Sequence, residues 1–274
     1  MRAVRTPRRA NPRSNIGLRL PNAARMHAEL RANVLLVEYR GYGDSDDADP
    51  TEEGFKKDAE ASLRFVRAHP EINGSKVFLF GRSLGGAVVF HLAGYAQREG
   101  MDLAGLVVEN TFVSIPRMVD HLMPLVAIFK DLVCRIYWDS GKVVGGLDLP
   151  VLYLSGGKDE LVPPGQMIEL YRKSLEGPAA LVKMHVIKDG THNETWLQGG
   201  QMYWDQIKAF LKQAMTTSRQ NSVADFIDES DVKCELAVNS GDAVDTVKSS
   251  IPLMPTSMFR MAQEIGSSAK KKDN

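Results

Sequence analysis

Cysteine is nearly absent from this 274-residue chain. The two present, Cys134 and Cys234, stand far apart, the second in a polar tail, which argues against a disulfide framework and fits a reducing compartment. An excess of charge of either sign is also missing. The 34 lysines and arginines balance 34 acids, so the bulk electrostatics call for neither nucleic acid nor an anionic membrane surface as a partner. No run approaches the roughly 18 consecutive apolar residues of a spanning helix. The most apolar stretch, 121–137, is interrupted by Pro124, Lys130, Asp131 and Arg135. No His or Cys cluster has metal-ligand spacing, no internal repeat is visible, and no cofactor is expected. Gly41-Tyr42-Gly43 is half of a dinucleotide fingerprint but lacks the third glycine and an acid at the right distance.

Charge is uneven only at the ends. The first fourteen residues carry five arginines and no acid, and Lys270, Lys271 and Lys272 lie near the other end. The arginine-rich start has no apolar h-region, so it is not read as a secretory signal, and Pro7 and Pro12 argue against the amphipathic helix of a transit peptide.

What is present is strand–helix alternation. Five short runs rich in Val, Leu and Ile read as buried parallel strands: 33–38, 76–80, 105–109, 150–154 and 183–187. Between them lie helical patterns. One opens at Thr51-Glu52-Glu53 and runs to about His69, with Phe55, Ala59, Leu63 and Val66 at helical spacing. Others are expected from Ser83 to about Gln97, from Pro163-Pro164 through Tyr171, and from Gln201 to Ala214. Such alternation implies right-handed crossovers and a parallel sheet covered on both faces. The interval 110–149 is longer than an ordinary crossover and is read as a cap inserted over the strand ends. Residues 217–274 lose periodicity and are expected to be mostly disordered, leaving 15–216 as one domain after a leader at 1–14.

The chemistry concentrates at three places. Val77-Phe78-Leu79-Phe80 runs straight into Gly81-Arg82-Ser83-Leu84-Gly85, and a helix follows at once. That is the setting in which Gly-x-Ser-x-Gly acts as a nucleophile elbow. The tight turn strains the serine backbone, crowds the positions two before and two after it, and aims a helix amino terminus at developing negative charge. Serine needs a base. Of six histidines, His27, His69 and His91 fall within helices, His121 in the expected cap and His185 in a strand. His192 follows the last strand in a loop at the edge that carries Ser83, and is read as the base. Asp159 is the first acid after the strand at 150–154 and lies between Ser83 and His192 in sequence, with Glu160 behind it and Asp148 on the wrong side of its strand. Ser, then Asp, then His is the chain order of α/β-hydrolases. The Leu84 amide is the expected oxyanion donor.

Arg40-Gly41-Tyr42-Gly43-Asp44-Ser45, Phe80 to Ala87, Glu109-Asn110-Thr111-Phe112 and Asp189-Gly190-Thr191-His192-Asn193 together resemble the bud-emergence branch of the α/β-hydrolases, from roughly Asn15 to Lys212. The resemblance implies a three-layer α/β-hydrolase fold with a mainly parallel sheet and a short helical cap. It implies a serine hydrolase acting on an ester, thioester or amide through an acyl-enzyme, on a small-molecule or acylated-protein (palmitoyl) substrate. It also places the branch beside prolyl-oligopeptidase-like serine peptidases, and its members are usually membrane-attached by an amino-terminal helix. This chain departs from the pattern at its front. Asn15-Ile16-Gly17 is kept, but Ala10-Asn11-Pro12-Arg13-Ser14 stands where the family has a glycine-rich oxyanion loop after three further strands. By register the second donor falls on Pro12, which has no N–H. The fold is therefore expected to be truncated at its amino terminus and cytoplasmic as written, with the 33–38 strand left as an apolar edge. Either the chain is a piece of a longer reading frame, or it is a genuine short form serving as a catalytically impaired interaction protein. Leu122, Leu125, Val126, Ile128 and Phe129 read equally as lining of an acyl pocket or as ordinary core.

Overall fold

The structure, a computed structural model, describes residues 16–45, 48–72, 76–122 and 136–220. The leader at 1–14, the oxyanion position Pro12, the cap residues Leu125, Val126, Ile128 and Phe129, and the tail beyond 220 lie outside the described residues, as does the side chain of Leu122.

Four strands form one parallel sheet in sequential order: β1 (Phe78–Arg82), β2 (Gly105–Glu109), β3 (Val151–Gly156) and β4 (Val182–Ile187). Register runs Phe80↔Val107 between β1 and β2, Val107↔Leu152 between β2 and β3, and Leu152↔Lys183 between β3 and β4. Every residue of β2 and β3 is buried, which is why these runs read as continuously apolar rather than alternating.

Helices cover both faces. On one, α3 (Leu84–Arg98) and α6 (Pro164–Leu175) place Phe90, Ala93, Met167 and Leu170 against Leu106, Val108 and Tyr153. On the other, α8 (Gly200–Gln220) sets Tyr203, Trp204, Ile207 and Phe210 against Val107, Leu152 and Leu154, with Met26 and Leu30 of α1 (Leu20–Leu30) at the margin. The alternation of Leu106 and Val108 to one face and Val107 to the other is the period-2 pleat. Helix α2 (Glu52–Ala68) is capped by Thr51, whose hydroxyl accepts from Gly54 N at 3.1 Å, and it buries Phe55, Ala59 and Leu63 beside α3.

The interval after β2 holds α4 (Ile115–Leu122) and α5 (Ser140–Val143). Its described portions are part of the core: Phe112, Val113, Met118, Trp138, Val144 and Leu147 are all buried. The last short helix, α7 (Thr195–Gln198), follows the loop after β4.

One expected strand is not a strand. Residues 33–38 pair with no described strand, and Leu35 and Val37 are 54% and 37% exposed. A β-run becomes a strand by exchanging ladder hydrogen bonds with a neighbour, and none of the described residues offers one.

Candidate active site

The chain passes from β1 to α3 through a single residue, Ser83, with φ 53° and ψ −123°. A serine in that region carries strain of about 1–3 kcal/mol, held there by its surroundings. Ser83 N donates to the Glu109 carbonyl at 2.9 Å, and the Thr111 hydroxyl donates to the Ser83 carbonyl at 2.8 Å. The flanking glycines have separate reasons. A Cβ on Gly81 would overlap the Gly85 carbonyl, and one on Gly86 would overlap the Thr111 side chain. Gly85 is not crowded in this way, since the nearest atom to a Cβ there is the Tyr39 hydroxyl at 4.0 Å. Gly81 is therefore required sterically, Gly85 is not, and Gly86 is crowded although it lies outside the pentapeptide. Leu84 opens α3, so its N–H has no intrahelical acceptor and stands at the positive end of the helix.

Asp159 and His192 are in direct contact. His192 Nδ1 lies 2.9 Å from Asp159 Oδ2 and 3.1 Å from Oδ1, with side chains 5% and 1% exposed. Asp159 Oδ1 also accepts from Leu161 N at 2.9 Å and Val162 N at 2.8 Å, which fixes the carboxylate independently of the imidazole. Glu160 takes a different part: its carboxylate accepts the backbone N–H of His192 at 3.2 Å. Ser83 stands at the same carboxyl edge of the sheet and is partly exposed, but its hydroxyl makes no hydrogen bond to any described residue. Nucleophile–base hydrogen bonds are commonly long before substrate binds.

The remaining histidines sit elsewhere. His27 Nδ1 contacts the Ala32 carbonyl at 2.8 Å beyond α1, His69 is the C-cap of α2, and His91 pairs with Glu60 at 2.9 Å. His185 lies in β4, where burial lowers its pKa, and Asp148 precedes β3.

Beneath Ser83 is a buried charge cluster that sequence reading missed. Arg82 Nη2 donates to Glu109 Oε2 at 3.1 Å, and Nε stands 2.8 Å from Oε1 without hydrogen-bond alignment. The Tyr203 hydroxyl donates to the same Oε2 at 2.6 Å. Burial opposes the charge on Arg82, but the Glu109 carboxylate outweighs it and holds the guanidinium pKa above its ordinary value. Burial, and then Glu109, push the Tyr203 phenol well up, so it stays a donor. Tyr39, packed on Phe55 with centroids 5.0 Å apart, is pushed up to about 12 by burial and then by Asp58. Its position directly before Arg40-Gly41-Tyr42-Gly43 was the available clue.

Among the described residues no group of three or more His, Cys, Asp or Glu side chains converges to hold a metal, and no helix is long and apolar enough to cross a membrane.

Residues 21–143 match the family model described as Hydrolase_4, serine aminopeptidase, S33. Protein bem46 of Schizosaccharomyces pombe is 38% identical over 198 residues, which is 72% of this chain and 63% of that protein. The α/β-hydrolase domain-containing protein WAV2 of Arabidopsis thaliana is 34% identical over 217 residues, 75% of this chain and 69% of that protein. This chain therefore spans under two thirds of bem46 and slightly more than two thirds of WAV2. In fold it is like the crystal structure of an α-β hydrolase from Vibrio vulnificus, with a TM-score of 0.55 at 22% identity, covering 69% of each chain. The covered parallel sheet with its strand–turn–helix at Ser83, and the extent of the match to WAV2, establish that this chain belongs to the α/β-hydrolase family.

Proposed function

We propose that the chain carries the machinery of a serine hydrolase that cleaves an ester, thioester or amide through an acyl-enzyme. The observation that carries this reading is the buried His192–Asp159 contact at 2.9 Å, on loops at the sheet edge where Ser83 turns into α3. Ser83 Oγ attacks the carbonyl carbon as His192 Nε2 takes its proton. Asp159, bound at Nδ1, holds the tautomer that leaves Nε2 free and stabilises the imidazolium. The Leu84 N–H faces the oxyanion, His192 returns the proton to the leaving group, and water releases the acyl group by the reverse sequence.

The other carboxylates near the site do not compete for this role. Glu109 is already engaged by Arg82 and Tyr203, and Glu160 by the His192 backbone. Substrates with an acylated cysteine, and attachment to a membrane, are part of the proposal by resemblance to the family's bud-emergence branch. Amide cleavage is favoured alongside by the peptidase description of the matching family model.

A fluorophosphonate probe tests the reading on the full chain. Wild type is expected to be labelled, and Ser83→Ala to lose all labelling while keeping its melting temperature. No labelling of well-folded wild type would instead identify a scaffold of the hydrolase fold that binds partners without turning over.

A further inference from the structure

The three groups of the proposed site stand on two braced pieces of one sheet, in which β2 and β3 pair up to Glu109↔Leu154 and Asn110 N donates to the Leu154 carbonyl at 3.1 Å. The elbow is one, held by Glu109 O and Thr111 Oγ1 on either side of Ser83. The loops after β3 and β4 are the other, joined by Gly157 N to Ile187 O at 2.8 Å, Lys158 N to Gly190 O at 2.9 Å, and the Asp159–His192 contact. Backbone pairing between β2 and β3 ends at Asn110 and Leu154, so beyond it the placement of the His192 loop relative to Ser83 depends on side chains.

Asn110 lies between Glu109 and Thr111, the two residues that brace Ser83, and its own side chain reaches the other piece. Nδ2 donates to the His192 carbonyl at 3.0 Å, the Thr195 hydroxyl at 3.0 Å and the Thr191 carbonyl at 3.2 Å. Oδ1 accepts from Gly156 N at 2.7 Å. The Thr195 hydroxyl spends its proton on the Thr191 carbonyl at 2.6 Å, so it can only accept from Asn110. Acceptors on one side and a backbone N–H on the other fix the amide orientation. Asn110 is 1% exposed and has φ 48°, a left-handed conformation that asparagine adopts more readily than other non-glycine residues. Among the described residues, the only other side-chain hydrogen bond from the elbow to the His192 loop is Arg82 Nη1 to the Asn193 carbonyl, long at 3.5 Å.

We infer that Asn110 is a positioning residue that sets the distance between the nucleophile at Ser83 and the acid–base pair at Asp159 and His192. This rests on the serine-hydrolase reading for its catalytic consequence but not for its geometry. Asn110→Asp is nearly isosteric and keeps the acceptor for Gly156 N. It replaces the donor with an oxygen facing two carbonyls, which pushes the His192 loop away.

Two measurements on the full chain decide the matter. In the first, the fluorophosphonate labelling rate of Asn110→Asp falls about 100-fold, the order expected when reacting groups are displaced by about 1 Å. The number of sites finally labelled stays the same, whereas a variant that was merely misfolded would lose sites. In the second, NMR of the His192 ring reads the Ser83–His192 distance without any turnover. Ser83→Ala shifts the His192 ring resonances in the wild-type background, and that response is lost in the Asn110→Asp background. If wild type is never labelled but the NMR response behaves this way, the hydrolase reading fails and the positioning role stands. An undiminished NMR response in Asn110→Asp, or none in wild type, overturns the inference. Should Asn110→Asp fold poorly, Thr195→Val removes one of its acceptors and must still weaken the response, or the inference is wrong.

Discussion

Two arginine–carboxylate pairs in this molecule share their chemistry and differ in everything around it. Arg82 and Glu109 stand at the carboxyl ends of β1 and β2, with side chains 8% and 0% exposed. Arg40 follows the unpaired segment at 33–38 and binds Asp58 of α2, with side chains 30% and 22% exposed. By hydrogen-bond geometry the second pair is the better one. Arg40 reaches Asp58 through Nη2 at 2.6 Å, through Nε at 3.0 and 3.1 Å, and through its backbone N–H at 3.0 Å. The first has one aligned contact from Arg82 and a second from Tyr203. Geometry is therefore a poor guide to importance here. In a dry site each charge depends on its partner, whereas near water the solvent replaces a lost partner at little cost.

The largest expected effect follows from that asymmetry. Arg82→Ala leaves the buried Glu109 carboxylate with the Tyr203 hydroxyl as its hydrogen-bond donor and the Arg19 guanidinium as the remaining nearby cation, and is expected to cost about 3 kcal/mol in urea unfolding. Removing the orphaned charge as well, in Arg82→Met with Glu109→Gln, keeps an acceptor for Tyr203 and is expected to recover most of the loss. A single variant no worse than one at Arg40 or Asp58 would erase the distinction between the two regions.

The same contrast explains what could be read from the sequence. Runs 105–109 and 150–154 were legible as strands because burial on both faces keeps them apolar apart from Glu109 at the end of the first, and they lie in the sheet. Run 33–38 has the same composition, but composition reports an affinity for a ladder and not the presence of a neighbour. Ser83, Asp159 and His192 stand out in the sequence because each follows a strand end, and a strand end is visible as the point where an apolar run stops. Asn110 carries no signal of a role in the sequence beyond its place in Glu109-Asn110-Thr111-Phe112, because an asparagine in a loop has no periodicity. Its four contacts come from residues 46 to 85 positions away. The Arg82–Glu109–Tyr203 cluster was hidden for the same reason, since nothing in a sequence places residue 203 beside residue 109.

A smaller effect is expected at Asp58, with a pH dependence of definite sign. Burial raises its pKa, but hydrogen bonds and charge from Arg40 outweigh burial, so the folded pKa lies below the ordinary aspartate value of about 3.9. A depressed folded pKa means stability that is present above the unfolded value and lost as pH falls through the folded one. Asp58→Asn should therefore cost about 1 kcal/mol at neutral pH, and the two unfolding curves should converge as the pH falls through the lowered folded pKa of Asp58. A difference that persists unchanged in acid would mean that packing, not charge, is what Asp58 contributes.

The smallest effect belongs to the unpaired segment itself. Leu35 is 54% exposed, so Leu35→Ser removes little apolar surface from any interior. The expected change in unfolding free energy is within about 0.5 kcal/mol, the usual range for surface positions. An exposed apolar segment without ladder partners among the described residues is instead a hazard for association between chains. The same substitution should therefore reduce concentration-dependent self-association, measured by light scattering, while the melting temperature hardly moves. If Leu35→Ser destabilised the fold as a core substitution does, by about 2 kcal/mol or more, residues 33–38 would have to be packed in solution. The contrast between the braced strand ends and this segment would then be one of partners rather than of order.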